Sequence, residues 1–132
     1  MNSVVVDTDA ISFVFKNHTI GDLYAADLAG SILIVSFLTI AELDRWAIQS
    51  KWGEARRKWL RLHLEPLVIL PYNRALCTKW AEVTVAAQAN GYRIECADAW
   101  IAATALLHDL PLVTHNGDDY RGVPNLVLIS HG

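Results

Sequence analysis

Short runs of apolar residues alternate along the chain with longer stretches in which apolar residues recur at helical spacing. The short runs are apolar throughout rather than at every second position, which is typical of strands that are buried on both faces of a sheet. They lie at residues 4–6, 32–35, 67–70, 112–114 and 126–129. Strands that alternate with helices favour an α/β fold. We therefore predict a central parallel sheet of four to five strands, with helices on both faces.

Local signals predict where several of the helices begin and end. Thr39 and Glu42 have the Ser/Thr-x-x-Glu spacing of a capping box, which predicts a helix from about residue 39 to residue 50. Asn73 is expected to cap a long helix that ends at Gly91. A further helix is predicted over residues 20–29, before Gly30. Another helix is predicted over residues 97–107.

Size and composition narrow the class of protein. The chain has 132 residues, enough for one domain with its own core, so we expect a single domain over residues 1–132. Hydrophobic residues make up 53%, which excludes disorder. No apolar stretch approaches the roughly 20 residues of a membrane span. Cys77 and Cys96 suggest neither a metal site nor a disulfide framework, and a reducing cytoplasm is expected.

The charge is unevenly distributed. The net charge of −3 does not favour nucleic-acid binding by the protein as a whole. Six of the eleven Lys and Arg residues nevertheless lie between residues 45 and 61, opposed there only by Glu54. Such a segment suits a phosphate backbone or an acidic partner, and a solvated helical face is the alternative. The candidate contact residues are Arg45, Arg56, Arg57, Lys58 and Arg61.

Acidic residues recur where the predicted strands end and where helices begin. Asp7 ends the first strand, Glu42 and Asp98 lie near helix starts, and the turn over residues 116–119 follows the fourth strand. In a parallel sheet all four places lie at the carboxyl edge, where open α/β sheets bind ligands. Each acid alone could be a helix cap or a turn residue, but caps would be scattered over both edges. Converging carboxylates repel one another unless a cation lies among them, so the sequence predicts a Mg²⁺ or Mn²⁺ site.

These residues together resemble a known family. The motifs are Val-Asp-Thr-Asp at 6–9, Ser-x-x-Thr-x-x-Glu-Leu at 36–43, Asp-x-x-Ile-Ala-Ala-x-Ala at 98–105 and Val-Thr-x-Asn-x-x-Asp-Tyr at 113–120. Their order and intervals resemble a PIN domain, and more narrowly a VapC-type ribonuclease toxin of bacterial toxin–antitoxin pairs. The resemblance covers essentially the whole chain.

The resemblance implies roles for individual residues. Asp7, Glu42 and Asp98 would be the acidic triad that holds Mg²⁺ or Mn²⁺. Thr8 resembles the small polar residue of the first motif, and Thr114 the family's hydroxyl near the first acid. Asn116 stands where many relatives have Asp, and Asp9 stands where the family usually has Asn. Asp118 or Asp119 would then supply the missing charge, unless one metal ion suffices.

The resemblance also implies an activity and partners. The expected reaction is metal-assisted hydrolysis of RNA by an attacking water, which leaves a 5′-phosphate and a 3′-hydroxyl. Glu42 or an acid of the 116–119 turn would orient or deprotonate that water. The expected partners are an RNA substrate, a cognate antitoxin bound in a groove of the helices near residues 39–63, and a second copy in a homodimer.

Two alternatives stay open at this point. Asn116 in place of an acid would suit a PIN-fold module that binds RNA or antitoxin but has weakened catalysis. The Asp-x-Asp of Asp7 and Asp9 would also suit a phosphatase of the haloacid dehalogenase type, with Asp7 as nucleophile and Asp9 as general acid. The phosphatase alternative leaves Glu42 and Asp98 without a role.

Overall fold

The fold is a five-stranded parallel sheet, seen in a computed structural model that describes residues 2–132. Its strands are β1 (Ser3–Val6), β2 (Ile32–Ser36), β3 (Val68–Leu70), β4 (Leu112–Val113) and β5 (Leu128–Ile129). They lie in the order β3-β2-β1-β4-β5, and every neighbouring pair is parallel. The predicted α/β fold class is confirmed.

Seven α-helices connect these strands within residues 2–132, and none of them is long and apolar enough to cross a membrane. They are α1 (Thr8–Phe15), α2 (Thr19–Asp22), α3 (Ala25–Leu28), α4 (Phe37–Gln49), α5 (Glu54–Leu64), α6 (Arg74–Ala89) and α7 (Cys96–Leu107). A 3-10 helix, Gly117–Tyr120, lies between β4 and β5.

The single helix predicted over residues 20–29 is wrong, because two short helices, α2 and α3, take its place. The break falls at Tyr24, which is fully buried. Its hydroxyl lies 3.2 Å from the Thr114 carbonyl oxygen and 2.6 Å from Nδ1 of His115, both more than 85 residues away in sequence. Tertiary contacts of one aromatic residue therefore override the local helical pattern.

The predicted capping box is also wrong. Helix α4 begins at Phe37, and its cap is Ser36, whose hydroxyl accepts a hydrogen bond from the Leu38 amide at 3.2 Å. Thr39 is buried inside the helix, and the Glu42 carboxylate bonds to Thr8 instead of the helix start. The predicted cap of α6 is confirmed, because the Asn73 side chain accepts from the Leu76 amide at 2.8 Å.

The core has two layers, one on each side of the sheet. Val4 and Val6 of β1 pack in a cluster that includes Ile11 of α1 and Leu43 of α4. Val5 packs in the other cluster, with residues of α6 and α7. Successive side chains of a strand point to opposite faces, so the all-apolar β1 is buried on both sides. This is the physical reason why β1 lies at the centre of the sheet.

The strand order creates a switch point between β1 and β4. The chain leaves β1 for β2 and β3 on one side, then returns to place β4 and β5 on the other. Connections at the carboxyl ends of β1 and β4 therefore diverge, and open sheets bind ligands in the crevice formed there. Asp7 and Thr114 are the residues that directly follow these two strands.

Candidate active site

Asp7 lies at the bottom of this crevice and has two structural functions there. Val6 pairs with Val113 in the sheet, so the residues that follow them, Asp7 and Thr114, are also neighbours. The Thr114 hydroxyl donates a hydrogen bond to Oδ2 of Asp7. Oδ1 accepts from the Ala10 amide at 2.9 Å, which makes Asp7 the N-cap of α1. The cap and the predicted site residue are therefore the same side chain, only 4% exposed.

Asp98 approaches Asp7 from α7, and Tyr120 lies between the two. Asp98 is in the first turn of α7, where the helix dipole favours an acid. Tyr120, at the end of the 3-10 helix, is 3% exposed. Its hydroxyl lies 3.5 Å from Oδ2 of Asp7 and 3.5 Å from Oδ1 of Asp98. A phenol has one proton to donate, so Tyr120 can donate to one carboxylate at a time.

Glu42 comes from α4, which starts directly at the end of β2. The Thr8 hydroxyl donates to Oε1 of Glu42 at 2.6 Å. The hydroxyl of Thr39, one helical turn before Glu42, lies 3.1 Å from that of Thr8. The first turn of α1 therefore holds the Glu42 carboxylate toward the crevice.

The crevice contains a cavity of about 330 Å³. Six of its nine lining residues are acidic, and none is Lys, Arg or His. The lining residues are Asp7, Thr8, Asp9, Glu42, Glu95, Ala97, Asp98, Ile101 and Asp119. The predicted acids Asp7, Glu42, Asp98 and Asp119 thus share one cavity, without a basic side chain among the lining residues.

The pKa values show the cost of this arrangement. Burial raises the pKa of Asp7 to about 6, although the bonds from Thr114 and Ala10 act in the opposite direction. Burial also raises the pKa of Asp98 to about 7, and the charges of Asp119 and Asp7 raise it further. The same burial and the carboxylates around it raise the pKa of the Tyr120 hydroxyl. Each pKa rises mainly because the group is buried away from water, and the neighbouring carboxylates add to the rise.

The donor set fits a hard divalent cation that keeps part of its water. All the charged groups in the cavity are carboxylates, and Mg²⁺ is commonly held by one or two carboxylates together with water. Over residues 2–132, no three acidic, His or Cys side chains are close enough to enclose an ion as they stand. Asp7 and Asp98, bridged by the Tyr120 hydroxyl, are the residues that could hold it.

The side chains of the 116–119 turn lie in different environments. Asp119 lines the cavity. Asp118 does not: its side chain is 87% exposed and forms an ion pair with Arg121 at 3.0 Å. Asn116 does not line the cavity either, but its side-chain amide donates to Oδ2 of Asp9 at 2.6 Å.

The predicted basic contact residues lie outside the carboxylate cavity. Arg57 and Arg61 line a separate cavity of about 300 Å³ between α4 and α5, together with apolar residues such as Ile48 and Leu60. Neither cavity is lined by any of the remaining three, which are Arg45, Arg56 and Lys58.

Three residues of the site have only weak signals in the sequence. Glu95 lines the cavity from the residue before α7, and its position at a helix start was the available signal. Tyr120 ends the fourth motif, and no local signal indicates that its hydroxyl lies against two acids. Asp9 departs from the family pattern, and the structure places it in the cavity.

Comparisons with known proteins show the family of the chain. Residues 4–126 match the PIN domain family. Ribonuclease VapC1 of Haemophilus influenzae is 28% identical over 124 residues, which are 92% of each chain. Ribonuclease VapC4 of Mycobacterium tuberculosis is 31% identical over 101 residues, 73% of this chain and 75% of that protein.

Solved structures with the same fold include two toxin–antitoxin complexes. A chain of VapBC2 from Rickettsia felis, bound to a DNA fragment from its promoter, superposes with a TM-score of 0.85 at 22% identity, over 98% of this chain and 99% of that chain. A chain of VapBC-1 from nontypeable Haemophilus influenzae superposes with a TM-score of 0.76 at 25% identity, over 97% of each. The chain therefore belongs to the PIN domain family, and its relatives include proteins named as VapC ribonucleases.

Proposed function

We propose that the chain is a Mg²⁺- or Mn²⁺-dependent endoribonuclease and the toxin of a toxin–antitoxin pair. The observation that carries the proposal is the cavity at the switch point, where six acids converge with no basic side chain among the lining residues. Carboxylates repel a phosphodiester, so such a cavity accepts RNA only with a cation between them. The names of the relatives, ribonucleases VapC1 and VapC4, support RNA as the substrate.

The side chains in and around the cavity would have different roles in hydrolysis. Asp7 and Asp98 would hold the ion, which supplies positive charge to the scissile phosphate and makes nearby water more acidic. Thr114 and Tyr120 hold the two carboxylates in place by their hydroxyls. Glu42 and Asp119 would orient the attacking water or accept its proton. Because its pKa is raised, the Tyr120 hydroxyl stays protonated and remains a donor.

The test is cleavage of RNA by purified protein with and without a divalent cation. We expect cleavage with Mg²⁺ or Mn²⁺ and none in excess EDTA. Asp7→Asn and Asp98→Asn should each abolish it. Asp118→Asn, which removes the same charge from an exposed position outside the cavity, is the matched control and should cleave normally. Equal cleavage by wild type in EDTA would refute the metal-dependent mechanism.

The cavity between α4 and α5 is the proposed binding site of the antitoxin. Its lining combines apolar residues such as Ala47 and Leu60 with two arginines, Arg57 and Arg61, and one acid, Asp44. Because the arginines outnumber the acid, the surface suits an acidic, partly apolar segment, which would compete with Glu54 for Arg61. The solved neighbours are toxin–antitoxin complexes, which supports a protein partner of this kind. We expect the toxin and antitoxin to meet in the cytoplasm, where the RNA substrate is.

Antitoxin binding can be separated from catalysis by mutation. Arg57→Ala with Arg61→Ala should weaken binding of the cognate antitoxin and leave cleavage of RNA unchanged, since neither residue lines the carboxylate cavity. Lys58→Ala, on the same helix but outside the α4–α5 cavity, is the control. Unchanged affinity of the double variant would place the antitoxin elsewhere.

The two alternatives from the sequence fare differently. The family that matches is the PIN domain, so a haloacid-dehalogenase phosphatase is not retained. A binding module with weakened catalysis stays an outcome of the cleavage test: RNA binding without metal-dependent cleavage would support it.

A further inference from the structure

The predicted fourth acidic position, Asn116, has no charge, yet the structure puts a carboxylate beside it. We infer that Asp9 is the fourth carboxylate that faces the bound cation, and that Asn116 is a positioning residue which holds Asp9 in place. The inference rests on the proposed metal-dependent function and adds two residues to it.

The contact between the two residues is short and joins distant parts of the chain. Nδ2 of Asn116 lies 2.6 Å from Oδ2 of Asp9, and 107 residues separate them in sequence. A hydrogen bond to an ionised carboxylate is stronger than one between neutral groups. Oδ1 of Asp9 takes no part in this bond. Asn116 is itself held at its backbone, where its amide donates to the Thr114 hydroxyl at 3.1 Å.

Asp9 lies in the first turn of α1 and shares the cavity with Asp119, whereas Asp118 lies outside it. Asp9 lines the cavity with Asp7, Glu42 and Asp98, whereas Asn116 and Asp118 do not. Asp118 is neutralised outside the cavity by Arg121.

Helix capping is not a sufficient reason for Asp9. The N-cap of α1 is Asp7, which already accepts a hydrogen bond from the Ala10 amide. An acid in the first turn also gains from the helix dipole, but that gain affects stability and not cation affinity. The two explanations therefore predict different results when Asp9 is replaced.

The hydrogen bond between Asp9 and Asn116 needs one acid and one amide, and it can be reversed. Two acids at these positions would repel each other, and two amides would remove the charge. Exchanging them, as Asp9→Asn with Asn116→Asp, keeps one negative charge and one hydrogen bond across the same gap. The exchange therefore tests whether the pair acts as a unit.

The experiment measures Mn²⁺ affinity by calorimetry, without RNA, on folded protein checked by circular dichroism. Asp9→Asn should weaken Mn²⁺ binding by about 10- to 100-fold, the range seen when groups that support a metal site are lost. Asn116→Ala should weaken it less, because the carboxylate remains but is no longer held. The exchanged double variant should recover affinity toward the wild-type value. Asp118→Asn is the matched control and should bind like wild type.

A second readout uses cleavage at several Mn²⁺ concentrations. Asp9→Asn should lose cleavage at low Mn²⁺ and recover it at high Mn²⁺, since its defect is affinity for the ion. Wild-type affinity of Asp9→Asn would overturn the inference while the proposed function stands. Failure of the exchanged variant to recover would overturn the positioning role of Asn116. Absence of Mn²⁺ binding by wild type would instead refute the proposed function itself.

Discussion

Asp7 shows how a single residue can serve the site at the expense of the fold. It is almost fully buried, and its carboxylate depends on Thr114 and the Ala10 amide to remain charged. Burial outweighs these bonds, since the pKa rises from 3.8 to about 6. A shift of this size corresponds to roughly 3 kcal/mol of stability lost when the group ionises. Residues placed for chemistry commonly carry such a cost.

Asp7→Asn should therefore stabilise the metal-free protein while it abolishes cleavage. The amide keeps an oxygen for the Ala10 cap but carries no buried charge. We expect the free energy of unfolding at pH 8 to rise by about 1–3 kcal/mol, measured by urea denaturation in EDTA. The gain should shrink as the pH falls from about 6 to about 4, and it should disappear below the unfolded-state pKa of 3.8, where Asp7 is protonated in both states. Lower stability of this variant at pH 8 would contradict the argument.

Thr114→Val should lower the free energy of unfolding at pH 8, the opposite of the effect expected for Asp7→Asn. Valine keeps the shape of threonine but cannot donate to the Asp7 carboxylate or accept from the Asn116 amide. Hydrogen bonds to charged groups contribute about 1.5–3 kcal/mol, so we expect a loss of that order at pH 8. The loss should be smaller near pH 5, because the Thr114 bond favours the charged form of Asp7. A pH-independent loss would show that the hydroxyl serves packing alone.

At the scale of elements, the all-apolar strands were the most reliable signal. Residues 4–6 and 32–35 could be assigned because a strand buried on both faces has no polar position to confuse its period. Helix starts were less reliable. Asn73 acts as predicted, but Thr39 does not, because a hydroxyl from α1 lies 3.1 Å from its own and the real cap is Ser36. Local spacing could not reveal a partner 31 residues away.

The cap of α6 offers a test that leaves the site alone. Asn73→Ala removes the bond to the Leu76 amide and should cost about 1 kcal/mol, measured by thermal or urea unfolding. Asn73→Ser retains a capping oxygen and should lose much less. Cleavage of RNA by both variants should match wild type, because Asn73 does not line the carboxylate cavity.

For the whole molecule, the carboxylate cavity links stability to pH and to cation. The folded-state pKa values of Asp7 and Asp98, about 6 and about 7, exceed the unfolded value of 3.8. The folded protein thus binds more protons between about pH 4 and pH 7, and its metal-free stability should fall as pH rises through that window. Above about pH 7 both groups are ionised in the folded and the unfolded state, so their contribution to stability should no longer change with pH.

A cation should reverse this trend, because under the proposed function it would bind the ionised carboxylates. Mn²⁺ should raise the melting temperature more at pH 8 than at about pH 5, where protons compete for Asp7 and Asp98. Differential scanning fluorimetry with and without Mn²⁺ measures the two shifts. Asp118→Asn should show the same pattern as wild type. Equal shifts at both pH values would argue that Mn²⁺ binds elsewhere.

The acids of the site could be predicted from the sequence, whereas the contacts that orient them could not. Asp7, Glu42, Asp98 and Asp119 follow strand ends or helix starts that topology gathers at one edge, so their meeting follows from the fold class. The bonds of Thr8 to Glu42 and of Asn116 to Asp9 join residues 34 and 107 positions apart. Such pairs depend on side-chain geometry, which no local period encodes.

The pairing of β1 with β4 at the centre of the sheet also determines when the carboxylate cavity can form during synthesis. Residue 7 leaves the ribosome early, but the strand and turn that complete its surroundings lie more than 100 residues later. A nascent or prematurely terminated chain that lacks them cannot assemble the cleft. The carboxylate cavity can therefore form only late in synthesis, after β4 and the turn that follows it have left the ribosome.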